Sequence, residues 1–202
     1  MTKLLVVDTE TGGVDPDRHS ILSVAAVVWE DGALGAEIEI LIAEPDLTVT
    51  ARALEINRID IVAHSRRAVP PAEAMAQLQA FVDEQFDSER NKGERAVLVG
   101  HNIGFDVGFL KRLCRMAHDD FGALFSHRVL DTASILRFLS LAGRLPESAA
   151  ASTNAFAAFN ISVKDSERHT ALGDARATAL LLTALVRSIV TDNVARQVFA
   201  AA

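Results

Sequence analysis

Hydrophobic and polar residues follow two different periodicities along the chain. Short apolar runs bounded by turn residues predict strands over residues 3–8, 21–30, 33–42, 96–100 and 128–131. Apolar residues at helical spacing predict helices over 70–86, 103–117, 132–142, 152–159 and 171–190. Asp31-Gly32 is a hairpin signal between the second and third strands. This order of elements predicts an α/β fold with a mixed five-stranded sheet, in which three adjacent antiparallel strands are joined by parallel ones and flanked by helices.

The length and composition are those of one ordinary globular domain. The chain has 202 residues, of which half are apolar and 23% are charged. No repeat, low-complexity tract or linker interrupts it, so a single domain over 1–202 is expected, with its core over about 3–190. Charge together with Gly, Pro or Ser content predicts loops at 86–95 and 143–152.

Charge and cysteine content narrow the class of protein. The net charge of −7 argues against a basic protein that coats nucleic acid, but it is compatible with a metal-dependent nuclease, whose carboxylates are neutralised by bound cations. The single cysteine, Cys114, can form neither an internal disulfide nor a multi-thiolate zinc site, which favours a cytoplasmic location. The apolar stretch 177–186 is too short to span a membrane and is followed by Arg187, so no membrane association is expected.

The first predicted strand runs directly into two carboxylates. Asp8 and Glu10 follow the apolar residues 4–7 and precede two glycines. Strand side chains alternate between faces, so both carboxylates point the same way. Like charges this close repel, and one keeps its proton unless a cation lies between them. The segment is therefore either a cation site or a solvated strand end.

Two later segments carry matching chemistry. Asp106 lies in the first turn of a helix that follows a strand, and His169 and Asp174 lie just before and inside the last helix. Strand ends and helix starts are where an open α/β sheet places its ligand. Carboxylate oxygens suit Mg²⁺ or Mn²⁺, and two such ions stabilise the attacking and leaving oxygens of a phosphoryl displacement. A neutral imidazole can take the proton of a metal-bound water.

Three motifs in this order resemble the DEDDh 3′–5′ exonucleases, a group that includes a polymerase proofreading subunit, ribonuclease T and oligoribonuclease. They are Asp-x-Glu at 8–10, His-Asn-x-x-Phe-Asp at 101–106 and His-x-Ala-x-x-Asp at 169–174. The resemblance extends from residue 3 to about 190 and implies a ribonuclease H-like fold. It assigns Asp8, Glu10, Asp106 and Asp174 to two Mg²⁺ or Mn²⁺ ions, with Asp106 reaching the second ion directly or through water. It also implies that His169 is the general base that deprotonates the attacking water. The expected products are nucleoside 5′-monophosphates, released from a free 3′-hydroxyl end.

The same resemblance implies substrate-contacting residues and partners. Thr9, Thr11 and Gly12 correspond to the turn that holds the terminal nucleotide, and 53–60 to a substrate-contacting helix. Candidate substrate-binding residues are therefore Thr9, Thr11, Gly12, Leu54, Ile56, Asn57 and Phe105. The expected partner is the single-stranded 3′ end of DNA or RNA, with a DNA polymerase or a second copy of the chain as further candidates. The sequence leaves two questions open: whether the substrate is DNA or RNA, and whether the role is proofreading, repair or RNA trimming.

Several alternatives accompany this interpretation. An aspartyl phosphatase, a ribonuclease H-like endonuclease and a catalytically idle nucleic-acid-binding module are the competing functions. Asp131 is interpreted as a helix cap rather than a fifth ligand, and His101 and Asn102 as residues that orient their loop by hydrogen bonds. Phe109 is expected to pack in the core. Arg66 and Arg67 either meet the phosphate backbone or are solvated.

Overall fold

The computed structural model describes residues 2–87, 91–150, 152–162, 164 and 168–191. Five strands form one sheet in the order β3-β2-β1-β4-β5. They are β1 (Lys3–Thr11), β2 (Ile21–Glu30), β3 (Ala33–Leu41), β4 (Ala96–Gly100) and β5 (Phe125–Asp131). The helices of the described residues are α1 (Ala51–Asn57), α2 (Ile61–Ser65), α3 (Pro71–Gln85), α4 (Gly104–Ala117), α5 (Phe121–Leu124), α6 (Thr132–Leu141), α7 (Ser152–Ala158) and α8 (Ala171–Thr191), with a 3₁₀ turn at Glu147–Ala150.

The predicted mixed sheet is confirmed. The β1–β2 and β2–β3 pairs are antiparallel, and the β1–β4 and β4–β5 pairs are parallel. Strand β1 is three residues longer than predicted because it continues to pair with β2 as far as Thr11, through an irregularity after Glu10. The carboxyl ends of β1, β4 and β5 lie at one edge of the sheet, which is where parallel strands deliver their following residues.

The two faces of the sheet are covered by different helices. Leu5 and Val7 of β1 belong to a large core that includes α3 and α4 residues such as Leu78 and Phe109. On the opposite face, Val6 packs with the alanines of α8. Strand alternation therefore sends successive β1 side chains to two different helical layers.

Helix α8 runs across the sheet, away from the end of β1 that carries the carboxylates. Its 21 residues give it a length of about 30 Å. In its second half, Val186 and Arg187 line a cavity of about 440 Å³. Thr2, which precedes β1, and Gly32, in the β2–β3 turn, line the same cavity. No helix in the described part of the chain is both long enough and apolar enough to cross a membrane.

Short elements differ most from the sequence prediction. Helix α1 begins at Ala51, where the Thr50 hydroxyl caps the Ala53 N–H at 3.1 Å, and ends before Arg58, whose φ of 56° is left-handed. Helices α2 and α5 are not predicted, because five and four residues are too few to show a helical period. The loop prediction over 143–152 is wrong in part, since the 3₁₀ turn and the start of α7 lie there. Within the predicted loop 86–95, residues 88–90 lie outside the described residues.

Candidate active site

Three carboxylates from two elements meet at the carboxyl end of β1. Asp8 and Glu10 lie on the sheet face covered by α8, and Asp174 comes from the first turn of that helix. One carboxylate oxygen from each residue lies within 4.8 Å of the other two. The alternation of β1 puts Asp8 and Glu10 on one face, and the packing of Ala171 and Ala175 of α8 on that face brings Asp174 to them.

A fourth carboxylate approaches from the helix on the other face. Asp106 lies in the first turn of α4 and is only 4% exposed. The buried Thr9 hydroxyl donates a 2.8 Å hydrogen bond to Asp106 Oδ1. Thr9 lies between the two carboxylates of β1 but points to the opposite face. It therefore anchors the α4 carboxylate against the same strand.

The electrostatics of the cluster favour protonation in the absence of a cation. Burial raises the pKa of Asp8 well above its ordinary value, and repulsion from Asp106, Glu10 and Asp174 adds to the shift. Burial, with repulsion from Asp174 and Asp106, raises the pKa of Glu10 to about 8. Burial also raises the pKa of Asp106 to about 7, although the hydrogen bond from Thr9 opposes the rise. A divalent cation would remove these penalties, because it attracts the ionised form of every member.

The donor set suits a hard divalent cation. All four side chains offer carboxylate oxygen, the ligand type that Mg²⁺ and Mn²⁺ prefer. Burial of Asp106 and the mutual proximity of the other three mean that deprotonation without a cation is costly. The residues therefore fit a bound divalent metal.

His169 lies beside this cluster in the turn before α8. It is partly buried, and its φ of 60° places it in the left-handed region. Burial raises the pKa of Asp174, while the His169 charge and a hydrogen bond from the His169 backbone oppose that rise. The histidine and the carboxylate are thus electrostatic neighbours, as the third motif predicts.

The β4–α4 loop is held by the hydrogen bonds expected for it. Asp131 accepts from the N–H groups of Ala133 at 3.1 Å and Asn102 at 2.8 Å, which confirms its interpretation as a cap of α6. His101 Nδ1 lies 3.1 Å from the Thr132 hydroxyl. That hydroxyl donates to the Gly100 carbonyl, so His101 is the donor in its own hydrogen bond. Burial lowers the pKa of His101.

A mostly apolar cavity of about 450 Å³ adjoins the carboxylates. Glu10 forms part of its wall. The predicted substrate-binding residues Thr9, Thr11, Ile56, Asn57 and Phe105 also line it. Ile56 is 46% exposed and Phe105 is 38% exposed, so both present apolar surface to a ligand. Phe109 is fully buried with its ring 4.9 Å from that of Phe105, which confirms the expected core packing.

Two predicted substrate residues have structural roles that the sequence does not reveal. A Cβ added at Gly12 would lie 2.3 Å from the Thr48 carbonyl oxygen, so only glycine permits this close approach. The Gly12 N–H donates to the Ser20 carbonyl at 2.7 Å and is therefore engaged within the protein. Asn57 is buried and donates to the Thr11 carbonyl at 3.2 Å, which ties α1 to the end of β1.

The cavity also differs from its predicted composition. Leu54 is half-buried and does not contribute to the cavity wall, whereas Val14, His19 and Arg52 do. These three are missed by sequence reasoning because they come from a loop and an exposed helix face with no motif of their own. A further carboxylate, Glu39 on β3, adds to the raised pKa of Glu10.

Comparisons with known proteins agree with this arrangement. The model of the family described as Exonuclease matches residues 5–182. A ribonuclease T of Marinobacter nauticus is 31% identical over 188 residues, covering 90% of this chain and 81% of that protein. A ribonuclease T of Wigglesworthia glossinidia brevipalpis is 27% identical over 137 residues, covering 65% of this chain; the chain spans 63% of that protein.

Solved structures show the same fold. Escherichia coli exonuclease I in complex with a dT13 oligonucleotide superimposes with a TM-score of 0.75 at 16% identity. The match covers 99% of this chain and 43% of that one. The predicted ribonuclease H-like sheet is thereby confirmed.

Proposed function

Since this chain belongs to the exonuclease family, we propose that it hydrolyses nucleic acid from a free 3′-hydroxyl end and releases nucleoside 5′-monophosphates. The observation that carries the proposal is the meeting of Asp8, Glu10 and Asp174 within 4.8 Å at the wall of an apolar cavity. The carboxylates supply the chemistry, and the cavity accommodates the unit to be removed.

The proposed metals are two Mg²⁺ or Mn²⁺ ions. Asp8, Glu10 and Asp174 would hold them, with Asp106 reaching the second ion directly or through water. When bound, such ions polarise the phosphodiester and make a water a stronger nucleophile near neutral pH. The protein's contribution is to present four buried or half-buried carboxylates in a fixed arrangement, two of them on a rigid central strand.

His169 is the proposed general base. It lies next to Asp174, within the turn that immediately precedes α8. An imidazole at this position can accept the proton of the attacking water and pass it to solvent, because the residue is only partly buried.

The cavity is the proposed site of the 3′-terminal nucleotide. Ile56 and Phe105 would contact the terminal base, and such apolar contact tolerates any base. Although Thr9 and Thr11 line the cavity, their hydroxyls donate within the protein, Thr9 to Asp106 at 2.8 Å and Thr11 to the Gly13 carbonyl at 2.7 Å. Contacts of this segment with a terminal sugar would therefore come from backbone groups and from Gly13 and Val14.

The proposal extends to the remaining predictions about the chain. It includes a single domain, a cytoplasmic location and a single-stranded 3′ end of DNA or RNA as the partner. The dT13 oligonucleotide in the exonuclease I structure supports a nucleic-acid partner. Association with a DNA polymerase or with a second copy of the chain stays a prediction.

A degradation assay tests the proposed function. Single-stranded DNA and RNA of equal length, labelled at the 5′ end, are incubated with Mg²⁺, Mn²⁺ or EDTA, alongside 3′-phosphorylated and circular strands. We expect a descending ladder from the 3′ end, mononucleotide products, strong inhibition by the 3′-phosphate and no activity in EDTA. Efficient cutting of the circle would favour the endonuclease, and a phospho-aspartate intermediate would favour the phosphatase.

A further inference from the structure

The first turns of α8 contact the sheet mainly through small side chains, whereas further along the helix Leu182 is buried in the same cluster and Thr183 accepts a 2.8 Å hydrogen bond from Trp29. Ala171, Ala175 and Ala179 pack on Val6 and Val27 of the central strands. Alanines let a helix approach a sheet closely, but they offer no long ridges to interlock with it. In these first turns, the alanine contact therefore fixes the distance of α8 from the sheet better than it fixes the orientation of the side chains around the helix axis.

The neighbouring strand β3 holds one flank of this helix. Arg176 Nε donates to Glu37 Oε2 at 2.8 Å, and Arg176 Nη2 donates to the other oxygen of the same carboxylate. One turn earlier, Glu39 Oε1 accepts from the Leu172 N–H at 3.4 Å. Two glutamates on the same face of β3 thus contact two successive turns of α8.

The helical period places Asp174 on the opposite flank. Successive residues of a helix are about 100° apart, so Asp174 is about 160–200° around the axis from Leu172 and Arg176. That flank faces Asp8 and Glu10. A rotation of α8 by about 10° would move a carboxylate about 6 Å from the axis by about 1 Å. Displacements of this size matter at an active site, where about 1 Å can change the rate 10²-fold.

We propose that Glu37 and Arg176 are positioning residues that set the orientation of the first turns of α8, and thereby hold Asp174 and His169 in register with the carboxylates of β1. The inference rests on the proposed function, since it describes how that site is assembled. The Arg176 side chain is 37% exposed and that of Glu37 is 36% exposed, so solvent screens the pair and its contribution to stability is small. Its two-pronged geometry is what fixes the helix.

Single substitutions distinguish a positioning role of the pair from a direct effect of its charges on cation binding. Glu37→Gln removes a negative charge near the site, which by itself would weaken binding of a divalent cation. Arg176→Gln removes a positive charge, which by itself would strengthen it. If the pair sets the position of Asp174, both variants weaken binding, and the double variant resembles one of the singles because the same contact is lost.

The readouts are Mn²⁺ binding by calorimetry, kcat and KM on a single-stranded oligonucleotide, and the melting temperature. We expect Mn²⁺ affinity to fall about 3–10-fold and kcat about 10-fold or more in both variants. KM for the oligonucleotide should stay unchanged, because β1, α1 and α4 build the cavity. The matched control is Glu30→Gln, whose partner Lys3 lies 3.8 Å away at the other end of the sheet; it should behave as the wild type.

The two possible failures are distinguishable. Opposite changes of Mn²⁺ affinity in Glu37→Gln and Arg176→Gln would show a field effect and overturn the positioning role. A lower melting temperature with unchanged Mn²⁺ affinity and kcat would show a merely structural pair and overturn it equally. If the wild type degraded no nucleic acid, the proposed function would fail, while calorimetry would still decide whether the pair positions Asp174.

Discussion

Thr9 and Asp106 come from a strand and a helix that are 97 residues apart in sequence, and the Thr9 hydroxyl donates to Asp106 Oδ1 at 2.8 Å. This bond favours the ionised carboxylate and opposes the rise of its pKa to about 7. Thr9→Val keeps the shape but removes the donor, so the pKa of Asp106 should rise further. We expect weaker Mn²⁺ binding at pH 7 that recovers at higher pH, measured by calorimetry across a pH series. Thr9→Ser keeps the donor and is the control; parallel pH curves for the valine variant and wild type would contradict the prediction.

The metal-free protein should lose stability as the pH rises. The folded-state pKa of Glu10 is about 8 and that of Asp106 about 7, both above their ordinary values near 4. The folded state therefore binds more protons than the unfolded state in this interval. Its stability contribution is complete below about pH 4 and is lost as the pH approaches 8. Urea unfolding in EDTA at several pH values measures the decline, and added Mn²⁺ should remove most of it. A stability that rises through this interval would be inconsistent with the raised pKa values.

Removal of one charge from the cluster should separate activity from folding. Asp8→Asn is expected to abolish exonuclease activity, because it removes a proposed metal ligand. It should also raise the stability of the metal-free protein near pH 8, since it relieves repulsion and the cost of a buried charge. Asp60→Asn is the matched control, because asparagine also caps helices and Asp60 is an exposed cap of α2 outside the proposed metal site. Nuclease assays and thermal melts in EDTA measure the two effects.

His169→Ala tests the proposed base. The rate should fall by about 10²–10⁴-fold, which is the usual contribution of a positioned acid or base. Mn²⁺ affinity should change little, because the imidazole is not a proposed ligand. Single-turnover kinetics and calorimetry give the two numbers. Loss of metal binding together with activity would make His169 a ligand instead.

Two apolar residues of α1 form a matched pair for the terminal-base site. Ile56 lines the cavity and is 46% exposed, whereas Leu54 is half-buried outside it. Ile56→Ala should raise KM for single-stranded substrates about 5–150-fold, which corresponds to about 1–3 kcal/mol per contacted base. Leu54→Ala should leave KM unchanged and lower only the melting temperature. Equal KM values in both variants would argue that the terminal base lies elsewhere.

The carboxylates could be placed from the sequence because local periodicities position them. Strand alternation puts Asp8 and Glu10 on one face, and a helix start fixes Asp174 relative to His169. The cavity could not be derived in the same way. Its wall is built from β1, the following loop, α1 and Phe105 of α4, and the meeting of these separate segments carries no periodic signal.

The position of the β3 glutamates relative to the site was also outside local sequence reasoning, because it depends on an irregularity in the β2–β3 pairing. Glu37 and Glu39 are two residues apart on a strand, a pattern that is typical of a solvent-exposed strand face. Only the registers Asp8–Ala25 and Ala25–Glu39 show that Glu39 shares a cross-strand row with Asp8. A hairpin register extrapolated from the Glu30–Ala33 pair beside the turn would instead place Ala25 opposite Ile38, because it misses the one-residue shift between Val27 and Trp29.

The course of α8 connects the end of the sheet that carries the carboxylates with the opposite end, which offers a place for attachment. The helix leaves Asp174 at the carboxylates, and about 20 Å further along it Val186 and Arg187 line a cavity together with Thr2. Lys3 begins β1 at this same end, and its ammonium donates to the Gln85 carbonyl, whereas Thr2 is exposed, so a label attached through residue 2 would lie away from Glu10. A molecule immobilised in this way would present its cavity to solution, so the proposed removal of single nucleotides could be followed on individual molecules.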